Sequence, residues 1–362
     1  MPARHAAEGL CNLEIGENTG WGRATLPPNS RAARLPRVRG SDVRLLVTGG
    51  AGYIGSVVTL RLLQAGHDVT VLDDLSTGHE DAVPAGARLV RGDLAEAGGV
   101  LADGDPYGGV LHFAAKALVG ESVEHPEWYW RSNVCGTLAL LDAMRDTAVP
   151  RLVFSSTAAV YGEPAEVPIT EQSPAAPTNP YGATKLSVDM MISAEARAHG
   201  LGAVSLRYFN VVGALGRCGE RHAVETHLVP LALQVVRGQR ATLEVYGQDW
   251  PTPDGTCIRD YVHVDDLARA HLLALEAATP GEHRIYNLGN GAGFSVLDVV
   301  EAVRRVTGHG LPTEIAPRRP GDPAVLVASS ARIRDELGWK PEKPSLDEMV
   351  ADAWRFEQER RG

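Results

Sequence analysis

The sequence predicts an α/β fold, a doubly wound parallel sheet with a smaller α/β region after it, on three observations. A short apolar run, Arg44–Thr48, enters a glycine-rich turn and then an apolar-periodic helix, Val57–Gln64. A second run, Asp68–Leu72, ends on an acid, Asp73. Further strand-like runs at Arg88–Arg91, Gly109–Phe113, Leu152–Ser155 and Ala203–Arg207 have helical patterns between several of them. Apolar strands alternating with amphipathic helices build parallel sheets covered on both faces. The expectation is a Rossmann-like sheet followed by a smaller C-terminal α/β substrate-binding domain.

Taken in order, residues 1–42 stand apart. They hold six Arg, no Lys, three Glu and one Asp, with four prolines and no hydrophobic period. They lack the apolar core of a secretory signal, so a disordered extension is expected, one that a later translation start would omit. Residues 43–208 read as the dinucleotide-binding domain and 209–362 as the substrate-binding region, with parts around 262–290 returning to the first. The chain of 362 residues is long enough to bury a sizeable core without disulfides or a structural metal. Its net charge of −10 argues against a nucleic-acid partner, because phosphate backbones are held by basic faces. No run of about 18 apolar residues occurs, so no membrane span is expected. Cys11, Cys135, Cys218 and Cys257 are widely spaced and read as free thiols of a reducing, cytoplasmic compartment.

Gly49, Gly52 and Gly55 have the spacing G-x-x-G-x-x-G. Such a turn lacks Cβ atoms where a pyrophosphate must approach backbone N–H groups and a helix N-terminus. Asp73, about 20 residues on, suits a ribose diol and repels a 2′-phosphate, which favours NAD over NADP. Asp93-Leu94 and Phe113 follow strands, at the sheet edge where open α/β folds bind ligands.

Asn179-Pro180 opens a helix, Asn as cap and Pro at the first position. Tyr181 and Lys185, four apart, share one face of it. An ammonium nearby favours tyrosinate, so Tyr181 is expected to have a lowered pKa and to exchange a proton with a sugar hydroxyl. The hydroxyl-rich strand end Ser155-Ser156-Thr157 would steady the same oxygen.

The ordered set Val47–Ser56, His112–Ser122, Phe154–Gly162, Tyr181–Lys185, Leu206–Asn210, Gly255–Val264, Tyr286–Gly289 and Ala316–Asp322 resembles the UDP-glucose 4-epimerase family, in the extended branch of the short-chain dehydrogenase/reductase superfamily. The likeness spans about residues 43–360. It implies interconversion of UDP-galactose and UDP-glucose through a 4-keto sugar, with hydride passing transiently to bound NAD, in a homodimer. It implies that Gly49, Gly52, Tyr53, Ile54, Gly55, Asp73, Asp93, Leu94, Phe113 and Phe209 contact NAD, together with Tyr181 and Lys185. Thr157, Tyr181 and Lys185 would be catalytic. Thr157, Tyr181, Asn210, His227, Leu228, Tyr246, Arg259, Arg319 and Asp322 would line the UDP-sugar pocket, and Leu326 would sit at its size gate. The chain departs from some relatives at Ala117, where they carry Lys, at Ser132 and at His227.

Epimerases of other UDP-sugars share these motifs. A dehydratase needs an acid/base pair after Thr157, where this chain has Ala158 and Ala159. A non-catalytic NAD-binding protein has no need of Tyr181 and Lys185. No metal site is expected: the run Asp260–His271 reads as a helix start capped by acids. Ser345–Glu348 reads as a capping box, and Trp128 and Trp130 as packing residues.

Overall fold

A computed structural model describes residues 43–319 and 321–360; the extension at 1–42 lies outside them. Among the described residues the centre is a sheet of seven parallel strands. These are β1 (Arg44–Thr48), β2 (Asp68–Asp73), β3 (Arg88–Arg91), β4 (Gly109–His112), β5 (Arg151–Thr157), β6 (Gly202–Tyr208) and β7 (His283–Leu288). Their spatial order is β7-β6-β5-β4-β1-β2-β3. The order reverses between β1 and β4, whose neighbours Thr48 and His112 end the two strands. Such a switch point opens a crevice at the strand C-termini.

The principal helices are α1 (Tyr53–Gln64), α2 (Gly136–Asp146), α3 (Pro180–His199), α4 (Leu228–Val236), α5 (Val264–Ala277), α6 (Val296–Thr307) and α7 (Leu346–Glu359). Strand alternation sorts the core. Leu45, Val47, Val69, Leu111 and Val153 meet Val57 and Leu62 of α1 and Leu267 and Ala274 of α5. Their alternates Leu46, Val110, Leu152 and Phe154 meet Leu140 and Met144 of α2 and Val188 and Ile192 of α3. A period of two places successive residues on opposite faces, so one apolar run feeds both layers. After β6, α4, α6 and α7 pack a separate cluster around Val229, Val299, Val303 and Met349.

Helix α3 carries Tyr181 and Lys185, and local and distant bonds set its position. The Asn179 side chain accepts from the Gly182 amide at 2.9 Å, with Pro180 at the first helical position. Gly200, left-handed at φ 77°, ends the helix. Two turns past Tyr181, Asp189 accepts from Arg207 of β6 through Nε at 3.0 Å and Nη2 at 2.8 Å. Both residues are buried, and Arg207 also donates to the Tyr161 hydroxyl at 3.1 Å.

One sequence expectation fails and another holds only in part. The Ser345 hydroxyl makes no cap bond at the start of α7, and Asp347 instead binds Arg305 at 2.6 Å. Trp128 and Trp130 pack only partly, being 43% and 41% exposed outside the core, with the Trp128 ring stacked on His125 at 3.9 Å.

The Arg207–Asp189 pair generates a stability prediction. Arg207→Met strands a buried carboxylate and is expected to cost about 3–5 kcal/mol in urea unfolding. Adding Asp189→Leu removes the uncompensated charge and is expected to recover most of that loss.

Candidate active site

The glycine-rich turn is shaped by contacts that exclude side chains. Gly49 has φ +73°, and a Cβ there would stand 2.5 Å from the Ala114 amide nitrogen just after β4. A Cβ on Gly55 would collide with the Gly49 carbonyl oxygen. Helix α1 follows with Gly52 as its cap residue, no side-chain cap and no acid in its first turn. Its N-terminal amides and positive dipole end are thus left for an anionic ligand. An uncapped helix end, with no acid in its first turn, fits the pyrophosphate of NAD.

Asp73 ends β2, 7% exposed. Its Oδ2 accepts from the Ala51 amide and its Oδ1 from the Leu75 amide, both at 2.9 Å. Burial raises its pKa, and these two bonds oppose the rise. Asp73 therefore also ties the turn to β2, and each oxygen keeps a lone pair for a ribose hydroxyl. Asp93, on the exposed edge, caps its own turn through the Ala95 amide, with half-buried Leu94 next to it. The Phe113 ring lies 4.9 Å from His271, and Tyr53 donates its hydroxyl to the Gly213 carbonyl at 2.6 Å. Ile54 is partly buried in the first turn of α1.

Across the crevice, Tyr181 opens α3 next to Thr157, which ends β5, and the Thr157 hydroxyl lowers the Tyr181 pKa. Thr157 Oγ1 also accepts from the Ala159 amide at 3.1 Å. Lys185 is 3% exposed and donates to the Ser155 carbonyl at 2.8 Å, its ammonium 4.8 Å above the Phe154 ring. The expected electrostatics are reversed. Burial raises the Tyr181 pKa, and the neighbouring Thr157 hydroxyl only partly offsets it. Burial lowers Lys185 to about 7, with Asp189 acting against it. Sequence spacing placed the ammonium on the right helix face but carried no information on how dry that face is.

The sugar-side candidates fall into three groups. Phe209 and Leu326 both pack on Val160, Tyr161 and Ile169. Leu326 stands opposite Arg259 in parallel register, and Arg259 reaches Asp322 at 3.6 Å. The Arg319 guanidinium lies 3.8 Å over the Tyr246 ring, and the Arg319 carbonyl accepts from the Asp322 amide. Asn210 bonds the Asp260 carbonyl through its backbone and side-chain nitrogens. His227, just before Leu228 and α4, is instead engaged by Glu220 at 2.7 Å and Glu225 at 3.1 Å.

Several contributors escaped sequence reasoning. Asn133 binds the backbone of Lys116 in both directions, at 2.8 and 3.0 Å, and donates to Thr184 Oγ1 at 3.1 Å. It thereby clamps the segment after β4 to α3. Lys116 itself faces Glu121 at 3.9 Å. His112 bonds Thr48 at 2.6 Å and Thr137 at 2.9 Å, and burial holds it neutral with a pKa of about 3. Ser155 and Tyr208 share a hydroxyl–hydroxyl bond beside Thr157. For His112, Ser155 and Tyr208 the sequence signal was their place at strand ends; Asn133, in the helical turn Trp130–Cys135, had none.

Comparison with known proteins agrees with this arrangement. The model of the NAD dependent epimerase/dehydratase family matches residues 45–289. The UDP-glucose 4-epimerase of Corynebacterium glutamicum is 59% identical over 315 residues, 87% of this chain and 95% of that one. The UDP-glucose 4-epimerase of Brucella ovis in complex with NAD superposes with a TM-score of 0.83 at 44% identity, covering 86% of this chain and 98% of that one. The Bifidobacterium longum enzyme in complex with NAD+ and UDP gives 0.82 at 37% identity, covering 88% and 99%. The chain belongs to the NAD dependent epimerase/dehydratase family.

Proposed function

We propose that the chain interconverts UDP-galactose and UDP-glucose by 4-epimerisation, with NAD held between turnovers. The observation that carries the site assignment is Tyr181 and the buried Lys185 one helical turn apart on α3, beside Thr157 at the end of β5. NAD when bound supplies the acceptor and donor of the C4 hydride. Gly49, Gly52, Tyr53, Ile54, Gly55 and Asp73 hold its pyrophosphate and adenosine end, with Asp93, Leu94 and Phe113 along the strand ends and Phe209 beyond them.

Tyr181 takes the proton of the sugar 4-hydroxyl, and Thr157 keeps that oxygen in line. In the free protein the Tyr181 hydroxyl holds its proton, because burial disfavours tyrosinate. Ionisation needs a cation inside the dry site, and Lys185 is placed to be protonated in step with it. Asn210, Leu228, Tyr246, Arg259, Arg319 and Asp322 bind the UDP-sugar, and the arginine forks suit a diphosphate, whereas His227 is held away by Glu220 and Glu225. Residues 209–362 supply most of this sugar side, and 43–208 the NAD side. Ala158 and Ala159 offer no proton carrier, which separates the site from dehydratase chemistry.

The assembly is a homodimer. Trp128, Trp130, Leu138 and Met190 are 41–66% exposed on the helices that cover the α2/α3 side, an apolar surface of the kind a second copy covers. Among the described residues no helix is long and apolar enough to cross a membrane. The described cysteines Cys135, Cys218 and Cys257 are free, which supports a cytoplasmic setting that cell fractionation would check.

Tyr181→Phe is expected to lower kcat by at least about 10²-fold while the purified protein retains its NAD. Near-normal turnover would remove Tyr181 from the mechanism. Leu326 bears on the sugar: it is half-buried against Tyr161, bulkier than a small residue and less than Tyr. UDP-galactose should be preferred, with UDP-N-acetylgalactosamine converted more slowly, since a few heavy atoms of fit are worth about 1–3 kcal/mol. Leu326→Tyr should suppress the second activity and spare the first. If the native chain ignores N-acetylated sugars and Leu326→Ala does not admit them, Leu326 is an ordinary packing residue. Sedimentation should give twice the chain mass, and Leu138→Glu with Met190→Glu should halve it; an unchanged mass would place the interface elsewhere.

A further inference from the structure

Between the short strand Cys218–Gly219 and α4 lies a cluster that the epimerase chemistry does not use. Glu220, His222, Glu225 and His227 each turn one ligand-type atom inward, and the four atoms lie within 4.8 Å of one another. His227 Nδ1 is 2.7 Å from Glu220 Oε1 and 3.1 Å from Glu225 Oε1. His222 Nδ1 is 3.2 Å from Glu220 Oε1 and 3.5 Å from Glu225 Oε2. Yet His222 Nδ1 is buried and makes no hydrogen bond of good geometry with either. A buried nitrogen that approaches two carboxylates without bonding them is arranged for a third party between them.

We infer that Glu220, His222, Glu225 and His227 form a binding site for a divalent transition ion of the zinc class. Bonds of about 2.0–2.2 Å in a tetrahedron place neighbouring ligand atoms about 3.3 Å apart, within the spread of these separations. Two imidazoles with two carboxylates suit Zn2+ or Co2+ over Mg2+ or Ca2+, which take oxygen ligands. Two glutamates balance a divalent charge once the ion displaces the protons of the two histidines.

The site has a structural consequence. Its segment lies on the cofactor turn: the Arg221 carbonyl bonds His79 Nε2 at 2.9 Å, and Gly219 and His222 share a small cavity with Ala51, Gly52 and Tyr53. An ion that crosslinks residues 220 to 227 pins this segment beside the glycine-rich turn.

The test uses the full chain without an affinity tag, stripped with chelator and titrated with ZnCl2 by calorimetry and with CoCl2 by visible absorption. One equivalent of Zn2+ is expected to bind, and Co2+ to give the intense visible bands of a tetrahedral site. His222→Ala and Glu220→Gln should each weaken binding by at least about tenfold. Zinc should raise the melting temperature of the native chain and not of His222→Ala. Absence of saturable binding, or equal affinity in the native chain and both variants, would overturn the assignment and leave the cluster as two protonated histidines paired with glutamates. If a variant fails to fold, the cobalt spectrum of the native chain decides: octahedral, weakly absorbing Co2+ refutes the site.

Discussion

The close approach of two backbones at the switch point of the sheet is the constraint on which the rest depends. The Gly49 amide donates to the Leu72 carbonyl at 2.9 Å, while the Thr48 carbonyl accepts from the amides of Phe113 and Ala114. These bonds draw the ends of β1, β2 and β4 together around one turn. Contact this tight is possible only without a Cβ at Gly49 and Gly55. The same packing leaves α1 uncapped and aimed into the crevice, and sets the ends of β4 and β5 on its other side. The cofactor cradle and the Tyr181 face are thus two sides of one structure.

Burial governs the electrostatics of that crevice. Charged forms are disfavoured on both sides of it: the Tyr181 hydroxyl goes up, Lys185 falls to about 7 and His112 to about 3. A dry site strengthens each remaining polar contact and makes an unpaired charge costly. The single bond from Lys185 to the Ser155 carbonyl, and the Asp189 carboxylate deeper in the same helix, therefore matter more than a surface ion pair would. Beyond the crevice the opposite regime holds. His222 and His227 are drawn up, to about 9 and about 10: Glu220 and Glu225 raise the first against modest burial, and in the second outweigh a burial that lowers it.

The groups proposed for the sugar side come from segments far apart in the chain. Arg259 meets Leu326 by strand register and Asp322 by charge, and Asn210 meets Asp260 by backbone pairing. Short strands and loops supply these groups, whereas the NAD side comes from a regular β–turn–α unit.

What the sequence determined by itself was local or periodic. The glycine spacing, the Asn179-Pro180 helix start, Tyr181 and Lys185 on one face, and the alternating apolar strands each follow from a few consecutive residues and the geometry of helix or strand. Tertiary structure alone decided the rest. The Arg207–Asp189 pair, the Asn133 clamp and the Ser155–Tyr208 bond depend on register, which no window of sequence encodes. Glu220, His222, Glu225 and His227 lie within eight consecutive residues, but only the path of their loop brings their ligand atoms together. The Tyr181 shift belongs with them: Lys185 is four residues away in any helix, but the sign of the shift is set by how completely the surrounding strands exclude water.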